Sequence, residues 1–247
     1  GDNLWRSRDA VRVGGRVVRV CSGSEGYGFL LLFYCISQFS TYFGKKVKEQ
    51  RGIAEPDQGR RGVGSVFSKG LMPALFSLVS PAAMVAALAV YAADTAASEI
   101  GKTSRGNAWS LTRFKIVPPG TVGAISWKGT LAGLATIFLF AAAAYLVALS
   151  PAGQAFYWRE ASTVSLTDAI ALPIPSPEFT LLMVCMAASV VISFFAESVI
   201  NEVAVRRGFL SKEAAHLALG GLAGALTHGL FIGYFGLEHL LYLMSGS

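Results

Sequence analysis

Charge is scarce in this chain of 247 residues: Asp, Glu, Lys and Arg together make up 15% of it, against 53% hydrophobic residues. That supply is too thin for the surface of a soluble domain of this size, and a mean hydropathy of +0.52 points to a multi-pass membrane protein. Cysteine is nearly absent. Cys21, Cys35 and Cys185 show no metal-ligand spacing and two of them fall in apolar runs, so they read as small hydrophobes and not as zinc or redox groups. The N-terminal stretch lacks the apolar core of a signal peptide, although it carries five Arg. Residues 1–26 are left as an unassigned polar segment; a start on Gly without Met is what truncation, processing or the remnant of a transit segment leaves.

Long apolar runs are what the chain has in abundance. Tyr27 to Phe43 is a first helix flanked by interfacial aromatics. Val66 to Ala97 is interrupted only by Ser80-Pro81, which predicts a tight pair of helices turning at the proline, with Lys69 snorkelling toward the surface. Ala124 to Leu149, Phe179 to Val205 and Ala214 to Met244 complete the set. The expected fold is all-α, a polytopic transmembrane helical bundle of about six membrane helices, with residues 27–247 as one integral membrane domain.

Basic residues gather in alternate loops. Lys45, Lys46, Lys48, Arg51, Arg60 and Arg61 lie in the first, Lys102, Arg105, Arg113 and Lys115 in the second, and Arg206, Arg207 and Lys212 in the last, whereas Ser150 to Glu178 holds only Arg159. The positive-inside rule places the three basic loops on the cytosolic side or its organellar equivalent.

The chemistry-bearing stretch runs from Tyr91 to Gly133. Asp94 and Glu99 sit near the end of an apolar helix, and acids inside a membrane segment by default line a working site. Tyr91, Asp94, Thr95 and Ser98 share one helical face. A hard cation such as Mg²⁺ takes carboxylate oxygens together with waters and phosphate, which suits Asp94 and Glu99. Pairing of these acids with Lys102 or Arg105 is the plainer alternative, and it explains Glu99 better than the deeper Asp94. Lys115, Pro118-Pro119 and the turn Gly120-Thr121-x-Gly123 then lead through Ser126 to a helix start, where free amides and the helix dipole favour phosphate. Gly129 and Gly133 have the small-xxx-small spacing of helix packing. Arg60 and Arg61, among glycines, offer bidentate phosphate contacts. Late in the chain Glu197, Ser198, Asn201 and Glu202 form a second polar face near the same end, and Glu213 and His216 open the last helix, where capping by Ser211 and Glu213 is the simpler reading.

The segments GRRGVGSV (Gly59 to Val66), DTAASEIGK (Asp94 to Lys102), FKIVPPGTVGAISWKGTLAG (Phe114 to Gly133) and AES (Ala196 to Ser198) resemble the phytyl-phosphate kinases and related membrane isoprenoid-phosphate kinases. The chain is also similar to the wider group of CTP-using lipid kinases, such as dolichol kinase. Where that family shows N-D-x-x-N before its last helix, this chain reads Lys212-Glu213-Ala214-Ala215-His216. The resemblance implies a membrane kinase-like domain that phosphorylates phytyl phosphate to the diphosphate for tocopherol or phylloquinone synthesis, in a plastid envelope or a cyanobacterial or bacterial membrane. It implies Mg²⁺ held by Asp94, Glu99 and Glu197, and a nucleotide donor expected to be CTP. Asp94, Glu99 and Lys115 are the expected catalytic residues. Arg60, Arg61, Ser98, Lys102, Gly120, Thr121, Gly123 and Ser126 are expected to meet phosphate. The partners are then an isoprenoid-phosphate lipid, the membrane and a nucleotide, with no nucleic-acid polymer. A lipid-alcohol kinase, a cytidylyltransferase and an ion-coupled transporter are the alternatives, the last disfavoured because no inverted repeat is evident.

Overall fold

In the computed structural model, which describes residues 2–54, 63–104, 106–110, 112–119, 121–158 and 177–245, Ser80-Pro81 does what the sequence predicts. Helix α3 (Val63–Val79) stops there and α4 (Pro81–Gly101) begins, with Pro81 at its first turn and the Ser80 hydroxyl accepting the Ala83 amide at 3.0 Å. Helix α4 is the axis of the bundle. Its Ala-rich sequence is apolar all round, and every residue from Pro81 to Ala96 is buried, as expected of a helix with neighbours on all sides.

Those neighbours are α1 (Asp2–Tyr42), α3, α5 (Trp127–Ala148), α7 (Pro177–Ile200) and α8 (Lys212–Ser245). Short helices α2 (Lys45–Gln50) and α6 (Pro151–Trp158) close opposite ends. Among the described residues, three helices are long and apolar enough to cross a membrane: Pro81–Gly101, Trp127–Ala148 and Thr180–Val205. The apolar side chains they turn outward, such as Phe138, Leu146, Val184 and Ile192, are exposed, as lipid-facing residues are.

Two features depart from the sequence reading. The helical path of α1 starts at Asp2, well before Tyr27, and breaks at Gly23, whose φ of 68° is outside helical space. The second basic loop is not irregular throughout. It carries a three-stranded antiparallel sheet in the order β2-β1-β3, formed by β1 (Ala108–Ser110), β2 (Lys115–Val117) and β3 (Ala124–Ile125), with Trp109 opposite both Ile116 and Ile125. These strands are too short to leave a period-two signal in the sequence.

The three basic loops meet at one end of the bundle. Arg51 donates to the carbonyls of Lys102 and Ser104 at 2.9 and 2.7 Å. At the foot of α7 the chain loosens into a π-helical turn, Asn201–Val205; Glu202 follows Glu197 by five residues, about 140° round a regular helix, and faces the sheet. There Glu202 accepts from the Ser110 hydroxyl and the Thr112 amide and lies 3.7 Å from both Arg113 and Arg206. The expectation that Glu202 shares a face with Glu197 fails for this reason.

Gly129 sets the α4–α5 crossing and Gly133 the approach of α5 to α7, with the small-residue spacing the sequence shows: a Cβ on Gly129 would lie 2.6 Å from the Ala97 carbonyl oxygen, and one on Gly133 would strike the Phe194 ring of α7. Gly129→Ala is therefore expected to push α5 off α4 and cost about 1–3 kcal/mol. Gly70→Ala, facing open space on α3, is expected to cost nothing measurable. Thermal unfolding in detergent checks both, and an unshifted transition for Gly129→Ala would contradict this packing.

Candidate functional site

Asp94 lies seven residues before the end of α4, about 10 Å inside the basic end of the bundle at 1.5 Å per residue. Three of the neighbouring helices, α3, α7 and α8, each bring one polar group to it. From α3, Lys69 donates to Asp94 Oδ2 at 2.7 Å and to the Thr95 hydroxyl at 2.9 Å. From α8, His216 Nε2 stands 3.5 Å from the same Oδ2. From α7, Glu197 presents its carboxylate so that ligand atoms of Asp94, Glu197 and His216 all lie within 4.8 Å of one another. All four side chains are buried. Lys69 does not snorkel as expected; it is 5% exposed, because a buried carboxylate one helix away is the better partner.

Tyr91 ties the surrounding turns together. Its hydroxyl donates to the His216 carbonyl at 2.8 Å and stands 3.2 Å from the Ser68 carbonyl, so α3, α4 and α8 converge beside Asp94. Gly220 makes room, since a Cβ there would fall on the Tyr91 hydroxyl. Below Glu197, the Asn201 amide donates to its Oε1, while Asn201 Oδ1 is buried without a hydrogen-bond partner among the described residues.

Two facing carboxylates in an apolar bundle need a shared proton or a cation between them. The residues present fit a divalent cation: two carboxylates and an imidazole converge from separate helices, and the orphaned Asn201 oxygen lies beside them.

Glu99 has a different environment. It is 1% exposed, with Lys48 2.8 Å from Oε2 and Lys102 2.7 Å from Oε1. Lys48 also donates to the carbonyls of Ser40 and Thr41 at 3.3 and 2.6 Å, which caps the end of α1. The structure thus separates Glu99 from the Asp94 cluster and makes it the anchor joining α1, α2 and α4. The ion-pairing alternative holds for this residue, because two ammonium groups occupy both its oxygens.

Those of the remaining expected site residues that the structure describes lie around the basic end without entering the cluster. Ser98 is exposed and donates to the Thr95 carbonyl, and Lys115 is exposed on β2. The Thr121 amide and hydroxyl both donate to Pro118 O, and the Ser126 hydroxyl caps α5 through the Gly129 amide. Gly123 has a φ of 76° and packs on the backbone of Glu202, so its lack of a side chain serves a close approach between segments. Arg60, Arg61 and Gly120 lie outside the described residues. Lys69 and His216 are the site residues the sequence reading did not place; a lysine alone in an apolar run was the available signal for the first.

These features define a helical integral membrane protein with a buried mixed-charge centre near one end. The family described as "Integral membrane protein DUF92" matches residues 9–214, and the chain belongs to it. Among curated relatives, an uncharacterized membrane protein of Synechocystis is 34% identical over 55% of this chain and 57% of its own length. Protein VTE6, chloroplastic, of Arabidopsis thaliana is 34% identical over 52% of this chain and 43% of its own. An uncharacterized membrane protein of Methanocaldococcus jannaschii is 30% identical over 51% and 60%. The matched stretches thus span about half the length of these relatives. No solved structure matches. The membrane location and the family-level resemblance carried by the motifs agree with these matches.

Glu99→Gln strips Lys48 of its buried counter-charge and is expected to cost about 3–5 kcal/mol, while Lys102→Met, at a partly exposed ammonium, is expected to cost about 1 kcal/mol or less. Melting curves in detergent decide. A Glu99→Gln protein of unchanged stability that loses divalent-cation binding would place Glu99 in the cation site instead.

Proposed function

We propose that this protein is a membrane-embedded isoprenoid-phosphate kinase, converting a polyprenyl monophosphate such as phytyl phosphate to the diphosphate with a nucleotide donor, CTP being the expected one. The observation that carries this reading is the buried pair Asp94 and Glu197 with Lys69 and His216, set just inside the basic end of the bundle. The motif resemblance and a chloroplastic relative support the lipid class.

The location suits the substrate. Transfer of alkyl carbon out of lipid costs about 0.8 kcal/mol per CH₂, so a C20 chain resists leaving the bilayer by roughly 12–16 kcal/mol. A site one or two helical turns below the interface meets the phosphate while the chain stays in lipid. The acceptor needs no general base, since a phosphate monoester has a second pKa of about 6 and is largely dianionic at neutral pH. The obstacle is repulsion between two polyanions. Asp94 and Glu197 would hold Mg²⁺, which when bound supplies charge neutralisation. Lys69, bonded to Asp94 Oδ2 and Thr95, fixes the orientation of that carboxylate and adds a positive charge beside it. Exposed Lys115, and Lys128 in the first turn of α5, raise the local concentration of anionic nucleotide at the mouth.

Purified protein in detergent, given phytyl phosphate, Mg²⁺ and each common nucleoside triphosphate in turn, is expected to form phytyl diphosphate, identified by mass. Asp94→Asn and Glu197→Gln are expected to lower the rate by about a hundredfold or more, as for removal of groups that stabilise transferring phosphate. A CDP-lipid product would point to a cytidylyltransferase. Ion-coupled flux in vesicles without nucleotide, with no lipid product, would replace the kinase reading by transport.

A further inference from the structure

We propose that His216 completes, with Asp94 and Glu197, a mixed nitrogen and oxygen site that takes a first-row transition-metal dication of the Mn²⁺ class in preference to Mg²⁺. The inference rests on the reading of Asp94 and Glu197 as cation ligands and concerns which cation they take.

The donors come from three rigid elements, α4, α7 and α8, and not from loops, so their mutual geometry is set by helix packing. His216 is held in place independently of any ion. Its carbonyl accepts the Tyr91 hydroxyl at 2.8 Å, and its neighbour Ala215 is buried in the same turn. That anchoring leaves Nε2 directed at Asp94 Oδ2 across 3.5 Å. Mg²⁺ requires a near-octahedral shell of oxygens and keeps most of its waters, so an imidazole in a buried site adds little for it. Transition-metal dications accept imidazole nitrogen, and their affinity rises along the series from Mn²⁺ onward.

Charge favours the same conclusion. Two carboxylates and the Lys69 ammonium leave one negative charge inside an apolar bundle, which is costly. A dication reverses it to one positive charge, the sign an incoming phosphate needs. Asn201, whose amide nitrogen bonds Glu197, leaves its buried Oδ1 without a partner among the described residues, an acceptor that a water accompanying the cation would satisfy. A proton shared between Asp94 and Glu197 would also quiet the repulsion, and that is the arrangement the test must tell apart.

The test is titration of the purified protein in detergent with Mn²⁺ alone, with no nucleotide or lipid, followed by loss of the free-ion EPR signal and by competition with Mg²⁺. Stoichiometric binding is expected, with Mg²⁺ competing only at about a hundredfold excess or more, and with ¹⁴N hyperfine coupling from imidazole on the bound ion. His216→Asn, which keeps an oxygen donor at this position, is expected to weaken Mn²⁺ by about tenfold or more while moving Mg²⁺ little. Glu49→Gln, on exposed α2, should change neither. Folded protein that binds no Mn²⁺, or binds it without nitrogen coupling, overturns the proposal. If His216→Asn fails to fold, the coupling in the unaltered protein decides alone. Diphosphate formation supported by Mg²⁺ with no nitrogen coupling would sink this inference and leave the kinase reading standing. Nitrogen-coupled Mn²⁺ with no product from any nucleotide would do the reverse.

Discussion

A buried charge in an apolar bundle has to be matched from within the protein, and the pairing of Asp94 with Lys69 is where this fold meets that constraint. The two residues sit on α4 and α3, the helices that turn at Ser80-Pro81, so the hairpin brings them into register. Once Asp94 is fixed, α7 and α8 contribute Glu197 and His216 to the same point, and Tyr91 secures the turns on either side. The second ionic centre, Glu99 with Lys48 and Lys102, obeys the same rule nearer the surface and joins α1 and α2 to α4. Two acids five residues apart on one helix thereby serve two ends: Asp94 meets a second carboxylate and an imidazole as well as Lys69, whereas Glu99 has both oxygens occupied by ammonium groups.

Much of this was legible in the sequence because membrane helices leave strong signals. Length and hydropathy located the three described helices able to span a membrane, proline and serine marked the α3–α4 turn, and the glycine spacing in α5 announced close packing that Gly129 makes on α4 and Gly133 on α7. Asp94 stood out because acids in apolar runs are costly, with Glu197 on a second polar face; the expected pairing of Asp94 with Glu99 gave way to Asp94 with Glu197. What the sequence did not reveal depends on tertiary partners. Lys69 reads as a snorkelling residue until α4 is folded against α3, and His216 reads as part of a helix start until α8 is seen to enter beside Asp94. Glu202 was misplaced because five residues carry a side chain about 140° round a regular helix, so it leaves the face of Glu197 and meets Ser110 of the sheet. The small sheet in the second basic loop has strands of two and three residues, below the length at which alternation is readable.

The arrangement separates two jobs along the bundle axis. The basic end has its sheet stapled to the foot of α7 through Glu202, with Arg113 and Arg206 beside that carboxylate. The Asp94 cluster lies deeper, about 10 Å inside that end. Membership of the integral membrane family and relatives in a cyanobacterium, a chloroplast and an archaeon are consistent with chemistry carried by the helical core common to them.

The central claim, that Asp94, Glu197 and His216 enclose a cation, is tested most directly by anomalous diffraction from crystals grown with Mn²⁺. A single strong peak at coordinating distance from all three side chains is expected, with Lys69 still against Asp94. Well-ordered density for the cluster with no anomalous peak, and a carboxyl–carboxylate hydrogen bond joining Asp94 to Glu197, would contradict it.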